Sequence, residues 1–140
     1  MKPLKIILNA VFFFWIANGI AQSSADINMV ISNIETNEGT IMIALHNKAE
    51  SFLKDGYKYL KIPAQKGSIE AVFNDVPSGT YAISFFHDID NNEELNTRLG
   101  FIPVEPYGVS NNAKERFSAP KWEKAVFSVA DQDVTQKMSF

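Results

Sequence analysis

Apolar and polar residues alternate with a period of two along most of the chain, which is typical of β-strands that bury one face. Seven segments follow this pattern: residues 27–32, 41–45, 57–62, 68–73, 81–86, 126–130 and 134–140. Gly, Asn, Asp and Pro separate them, as in antiparallel sheets joined by turns. The pattern predicts an all-β fold, an antiparallel β-sandwich of about seven strands. We expect the face that carries Phe73, Tyr81, Ile83 and Phe85 to point into the core.

Two stretches depart from the alternation. Residues 49–55 are compatible with a short helical turn. Residues 91–125 are rich in Asn and Pro, and a segment of this length within a compact domain usually has a function or contains structure of its own. We expect one long ordered loop folded over an edge or end of the sandwich. Within it, Gly108 and the pair Asn111-Asn112 suggest turns with positive φ.

The aromatic residues of this loop allow two interpretations. Phe101, Tyr107, Phe117 and Trp122 can form an exposed platform for a glycan or a peptide, or they can pin the loop onto the core. Their number argues against disorder. We favour pinning.

The first 21 residues have the three-part plan of a secretory signal peptide. Lys2 and Lys5 precede an apolar run of about 15 residues, whereas a membrane span needs about 20. Gly19 and Ala21 are the small residues before the expected cut. We expect cleavage after Ala21, export to the periplasm or the cell exterior, and a single β-sandwich domain over residues 22–140. A membrane anchor is the less favoured alternative, because no basic cluster follows the apolar run.

Composition narrows the range of partners. The chain has no cysteine, so it cannot form disulfides or carry a lipid on a cysteine at the cut, and its stability must come from its core. It carries 13 basic and 16 acidic residues, and loss of the signal peptide makes it more acidic. This balance disfavours nucleic acid and anionic membranes. The expected partner is an unidentified protein or glycan, with no membrane insertion after cleavage.

The loop after the predicted strand Tyr81–His87 has oxygen-bearing residues at the spacing of a calcium loop. Five residues would supply positions one, three, five, seven and nine: Asp88, Asp90, Asn92, Glu94 through its peptide carbonyl, and Asn96. Position six, normally Gly, is Glu93, and position twelve, normally a bidentate Glu, is Leu99. Glu105 is a candidate substitute ligand. The sequence is thus compatible with a weak calcium site, with a Kd on the order of 10⁻⁴ M, or with a plain turn, since Asp and Asn favour loops.

Other chemistry has less support. His46 and His87 would hold zinc or copper only if they lay together with a third ligand. No nucleophile motif or phosphate-binding loop is present, so we do not expect an enzyme. The alternative is a small carbohydrate-active or other hydrolase that uses carboxylates of the long loop, namely Glu93, Glu94 and Glu105.

Several stretches, taken in order, resemble the bacterial domain of unknown function 2141 family: Pro77-Ser78-Gly79-Thr80-Tyr81-Ala82-Ile83, His87-Asp88-Ile89-Asp90-Asn91-Asn92, residues 100–113, and Phe117-Ser118-Ala119-Pro120 with Ala125. The resemblance covers nearly all of the chain after the signal peptide. It implies an exported bacterial β-sandwich and no particular activity. We expect the sandwich to have an immunoglobulin-like or prealbumin-like form. The Pro-x-Gly-x-Tyr motif also resembles the strand start of prealbumin-like and surface-adhesin repeat domains, which is an analogy of fold alone.

Overall fold

The computed structural model describes residues 23–140, so the signal peptide expected over residues 1–21 lies outside the described part of the chain. Ten β-strands follow one another within residues 23–140: β1 (Ser24–Ile34), β2 (Thr40–His46), β3 (Lys58–Pro63), β4 (Gly67–Pro77), β5 (Gly79–Asp88), β6 (Thr97–Arg98), β7 (Ile102–Pro103), β8 (Tyr107–Val109), β9 (Phe127–Val129) and β10 (Val134–Ser139). Each of the seven predicted segments coincides with a strand. The additional strands, β6 to β8, are short and lie in the long loop. No helix within residues 23–140 is both long and apolar enough to cross a membrane.

The strands form two main sheets and one hairpin. One sheet has the order β10-β1-β4, and the other has the order β3-β2-β5-β8, with β9 also paired to β5. Strands β6 and β7 pair with each other. The predicted all-β sandwich is confirmed. It is not purely antiparallel, because β10 runs parallel to β1, in a register that pairs Ile27 with Val134 and Ser32 with Ser139.

The core lies between the two sheets, as the alternation predicts. The inward-facing side chains of the four longest strands supply most of it: Ile27, Met29, Ile31, Ile41, Ile43, Leu45, Phe73, Ile83 and Phe85. The expected inward face of β4 and β5 is confirmed, since Phe73, Tyr81, Ile83 and Phe85 are all buried. Cross-strand register explains the packing, because Ile43 of β2 lies opposite Phe85 of β5.

Residues 89–126 are ordered against the sandwich. They contain β6 to β8, a 3₁₀ turn (Ser110–Asn112) and helix α1 (Trp122–Ala125). The buried Ser110 side chain holds this segment in place: its Oγ accepts a bond from the Ile83 N–H at 2.9 Å and donates to the Ala125 carbonyl at 2.6 Å. The predicted helical turn is also present, because the Asp55 N–H donates to the Ser51 carbonyl at 3.0 Å.

Gly108 has a different role from the predicted one. Asn111 and Asn112 do have positive φ, at 58° and 50°, but Gly108 does not. It lies in β8, opposite Phe85. A Cβ at this position would lie closer than 3.0 Å to three ring atoms of Phe85. The prediction of a turn at Gly108 was therefore wrong, and glycine is present because the Phe85 ring occupies the space of a side chain.

Candidate metal centre

A buried carboxylate organises the loop that follows β5. Asp88 ends the strand and is 1% exposed. Its Oδ1 accepts a bond from the Asn92 N–H at 3.1 Å, and its Oδ2 accepts one from the Glu93 N–H at 2.8 Å. Charge-assisted bonds from backbone N–H groups offset the cost of burying an ionised carboxylate. The loop therefore turns back around Asp88.

A second carboxylate reaches the same loop from the chain segment before β8. Glu105 is buried, and its Oε1 accepts a bond from the Ile89 N–H at 3.0 Å. Its Oε2 accepts one from the Asn96 N–H at 2.9 Å. Glu105 therefore bridges the beginning and the end of the acidic loop, although it lies well beyond the loop in sequence.

Three carboxylates converge at this point. Asp88, Asp90 and Glu105 each offer an oxygen, and these oxygens lie within 4.8 Å of one another. Each carboxylate oxygen has two lone pairs, so a backbone bond leaves acceptor capacity for a cation. Three negative charges at this separation repel one another unless a cation balances them. Oxygen-only clusters of this kind suit hard cations such as calcium.

Two asparagine side chains support the exposed member of the cluster. Asp90 Oδ2 accepts bonds from the Asn96 side-chain amide at 2.8 Å and from the Asn92 side-chain amide at 3.3 Å. The bond from Asn96 is the main cause that lowers the pKa of Asp90 below its ordinary value, and the bond from the Asn92 backbone adds to it. Asp90 is consequently ionised at neutral pH.

The predicted ligand residues thus lie in three different arrangements. Asp88 and Asp90 lie together, and Glu105, the expected substitute for position twelve, joins them, while Leu99 is 77% exposed. Asn92 and Asn96 lie beside Asp90 and bond to each other at 2.7 Å. Glu94, the remaining predicted residue, donates its backbone N–H to the side-chain oxygen of Asn92 at 2.9 Å.

The residue at position six matches a calcium loop in conformation although not in identity. Glu93 has φ of 66°, which lies in the left-handed region that glycine favours. Its side chain forms an ion pair with Lys61 of β3. Glu93 therefore has the left-handed conformation for which a calcium loop places glycine at this position, at the cost of some strain in a non-glycine residue.

The two histidines do not share a site. His46 pairs in register with Ala82 and His87 with Ile41, at opposite ends of the β2–β5 ladder. Five residues of strand separate them, about 16 Å. They also face opposite sides of the sheet. His87 pairs with the inward-facing Ile41, whereas His46 follows the inward-facing Leu45 in β2 and therefore faces outward. The condition for a shared zinc or copper site is therefore not met, because the ladder register separates the two rings.

The carboxylates proposed for hydrolysis are held in other ways. Glu93 pairs with Lys61 at the surface, and Glu94 is exposed. Both oxygens of Glu105 accept backbone N–H bonds. A general acid or base must exchange a proton with a substrate. Glu105 is positioned instead as an acceptor of hydrogen bonds and as a potential metal ligand.

The loop aromatics are divided between the two interpretations. Phe101 and Phe117 are 73% and 91% exposed. Trp122 packs edge-on against Phe52 at 5.6 Å between ring centroids, and Tyr107 is half-buried in β8. Two of the four thus pin the loop, and two extend into solvent.

A polar pair that the sequence pattern does not predict lies on the outer face of the second sheet. His46 Nε2 lies 2.8 Å from Ser84 Oγ. One signal was available: residues of β2 and β5 that should face solvent include Met42, Ala44 and Phe86, which are apolar. Such residues on an outward face indicate that something covers it.

These features define an all-β sandwich with a carboxylate cluster in the loop between its central strand and the long ordered segment. The family described as uncharacterised protein conserved in bacteria (DUF2141) matches residues 29–137. The chain belongs to this family. No curated protein matches the chain, and no solved structure does.

Proposed function

We propose that this protein is an exported bacterial β-sandwich that serves as a non-enzymatic binding or structural module of the cell envelope, with a weak calcium site in the loop after β5. The observation that carries the calcium part is the convergence of Asp88, Asp90 and Glu105, with oxygens within 4.8 Å of one another. Membership of a bacterial family and the signal-like N-terminus support the rest.

The donor set favours calcium over transition metals, because carboxylates, amides and carbonyls are hard oxygen ligands. The cluster supplies three carboxylates, and the Asn92 and Asn96 side chains and the Glu94 carbonyl are the further candidates. Calcium takes six to eight oxygens, so water would complete the shell. The loop lacks a bidentate Glu at position twelve, so we expect a Kd on the order of 10⁻⁴ M, as in extracellular modules.

Thermal unfolding in millimolar calcium and in chelator tests the calcium site. A ligand that binds only the folded state, at ten times its Kd, adds about 1.4 kcal/mol. For a domain of this size we expect the Tm to rise by several degrees in calcium. An unchanged Tm would contradict the proposal.

A matched pair of variants locates the effect. Asp90→Asn removes one charge from an exposed member of the cluster, so the calcium-dependent rise in Tm should largely disappear. Asp131→Asn makes the same change in the exposed turn before β10 and should keep the rise. If Asp90→Asn lowered the Tm equally in calcium and in chelator, the residue would hold the loop without binding the ion.

Export is tested separately by producing the full chain in a bacterium and determining the first residue of the protein in each cell fraction. We expect a chain that begins at Gln22 in the periplasm or medium, because the Gly19-Ile20-Ala21 sequence has the form of a cleavage site. A chain that retains its apolar N-terminus and stays in the cytoplasm would contradict the proposal of an envelope protein.

A further inference from the structure

An apolar groove lies on the outer face of the second sheet; Glu93 and Leu95 of the acidic loop line it, but the three clustered carboxylates do not. Its floor includes Met42 and Ala44 of β2 and Phe86 of β5, and its wall includes Leu95, Phe101 and Phe117 of the long segment. The cavity is about 910 Å³. Ligand sites in proteins usually occupy about 300–1,000 Å³ and have mostly apolar walls with a few polar groups.

The polar groups in the floor satisfy each other. The Asp55 carbonyl can only accept, so His46 must donate to it from Nδ1, at 3.3 Å. Neutral His46 therefore has an unprotonated Nε2, which accepts the Ser84 hydroxyl at 2.8 Å. No donor in this pair is left without a partner, so an apolar chain can cover it without the cost of an unmade hydrogen bond.

The rim of the groove carries positive charge that the protein does not balance by ion pairing. Within residues 23–140 the ion pairs are Lys61 with Glu93 and Lys124 with Glu115. These pairs neutralise both acidic residues that line the groove. Lys54 and Arg116 also line it, are exposed, and belong to neither pair. On a chain of net charge −3, this local excess of cations beside an apolar cavity is complementary to an anionic head group.

We propose that this groove binds a linear anionic amphiphile, an acyl chain with a terminal carboxylate. The acyl chain lies on Met42, Ala44 and Phe86, and the carboxylate lies between Lys54 and Arg116. Binding also removes from water the ring of Phe117, which is 91% exposed. The proposal does not depend on calcium binding at the acidic loop.

Calorimetric titration in chelator tests this proposal, with dodecanoate and dodecyltrimethylammonium below their micellar concentrations and dodecanol below its solubility limit as probes. Chelator excludes any contribution from calcium. We expect dodecanoate to bind at least about tenfold more tightly than either of the other two. Equal affinity for the three probes would overturn the anionic head group, and no detectable binding of dodecanoate at millimolar concentration would overturn the site.

Two pairs of variants place the ligand. Ala44→Trp fills the floor and should weaken dodecanoate binding at least about tenfold, whereas Val72→Trp, on the outer face of the other sheet, should not.

Lys54→Glu with Arg116→Glu changes exposed residues, so the fold is retained, and it should reverse the preference towards dodecyltrimethylammonium. The control is Lys48→Glu with Lys137→Glu, which reverses two charges outside the groove and should leave the preference for dodecanoate unchanged. Binding that survives both Ala44→Trp and the rim reversal would overturn the proposal.

Discussion

Two buried carboxylate side chains hold the backbone of the acidic loop through hydrogen bonds. Asp88 and Glu105 are almost entirely buried, and every carboxylate oxygen of the two accepts a backbone N–H. An ionised carboxylate is expensive to remove from water without such partners. These hydrogen bonds therefore fix the backbone of the acidic loop without a bound cation.

His46 provides a pH-dependent contribution to stability. Burial lowers its pKa below the ordinary 6.5, and its bond to the Asp55 carbonyl opposes this shift only in part. The unfolded chain therefore binds a proton more readily than the folded protein. The stabilisation is complete above pH 6.5 and is lost as the pH falls through that value towards the lowered pKa.

Urea unfolding at about pH 7.5 and about pH 5.5 checks this prediction. When the pH falls from the higher to the lower value, the free energy of unfolding should decrease more for the wild type than for His46→Gln, which has no imidazole to titrate. Carboxylates elsewhere contribute equally to both proteins. If the two proteins lost the same amount, the titration of His46 would not be coupled to folding.

Strand β5 connects the second sheet, the main core and the acidic loop. It pairs with β2, β8 and β9, carries inward-facing core residues and ends in the acidic loop. The turn before it is anchored locally, because the Tyr81 hydroxyl donates to the Pro77 carbonyl at 2.8 Å. Its pairing with β8 depends on the glycine at position 108.

Gly108→Ala should destabilise the protein by about 1–3 kcal/mol, because the new Cβ would force the buried Phe85 ring to move. The free energy of unfolding in urea measures the effect. Phe85→Leu shortens the ring side chain that the Cβ would meet. The double variant should therefore be more stable than the sum of the two single effects predicts. Strict additivity would show that the clash is relieved in another way.

Within residues 23–140, two apolar clusters lie on either side of the second sheet. The main core fills the space between the sheets, and a smaller cluster around Phe52, Ala82, Val109 and Ala125 lies beneath the long segment, with Trp122 packed against it. The second cluster makes the long segment part of the folded domain rather than an appendage.

This arrangement predicts that both clusters unfold together. In a chain that begins at Gln22, Trp122 is the single tryptophan and reports on the smaller cluster, while far-UV circular dichroism reports on the sheets. Thermal transitions by fluorescence and by circular dichroism should coincide. An earlier fluorescence transition would show that the long segment detaches first.

The period-two alternation was sufficient to predict the seven main strands and the inward face of β5, because a sheet with one buried face imposes that period. The acidic loop was also recognisable, since its ligand positions lie within one short stretch. The alternation gave no signal for β6 to β8 or for the parallel pairing of β10 with β1. Strands β8 and β10 depend on pairing with segments that are distant in sequence, whereas β6 and β7 form a local hairpin whose two-residue strands are too short to show an alternation.

Local order along the chain is enough to predict the fold class, the core-facing residues and the acidic character of the loop after β5. Three features follow from the folded chain alone: Glu105 joins Asp88 and Asp90, His46 and His87 lie far apart, and an apolar groove forms on the outer face of the second sheet. The physical reason is that strand register and the course of the long segment depend on packing across the whole domain, and no local pattern records that packing.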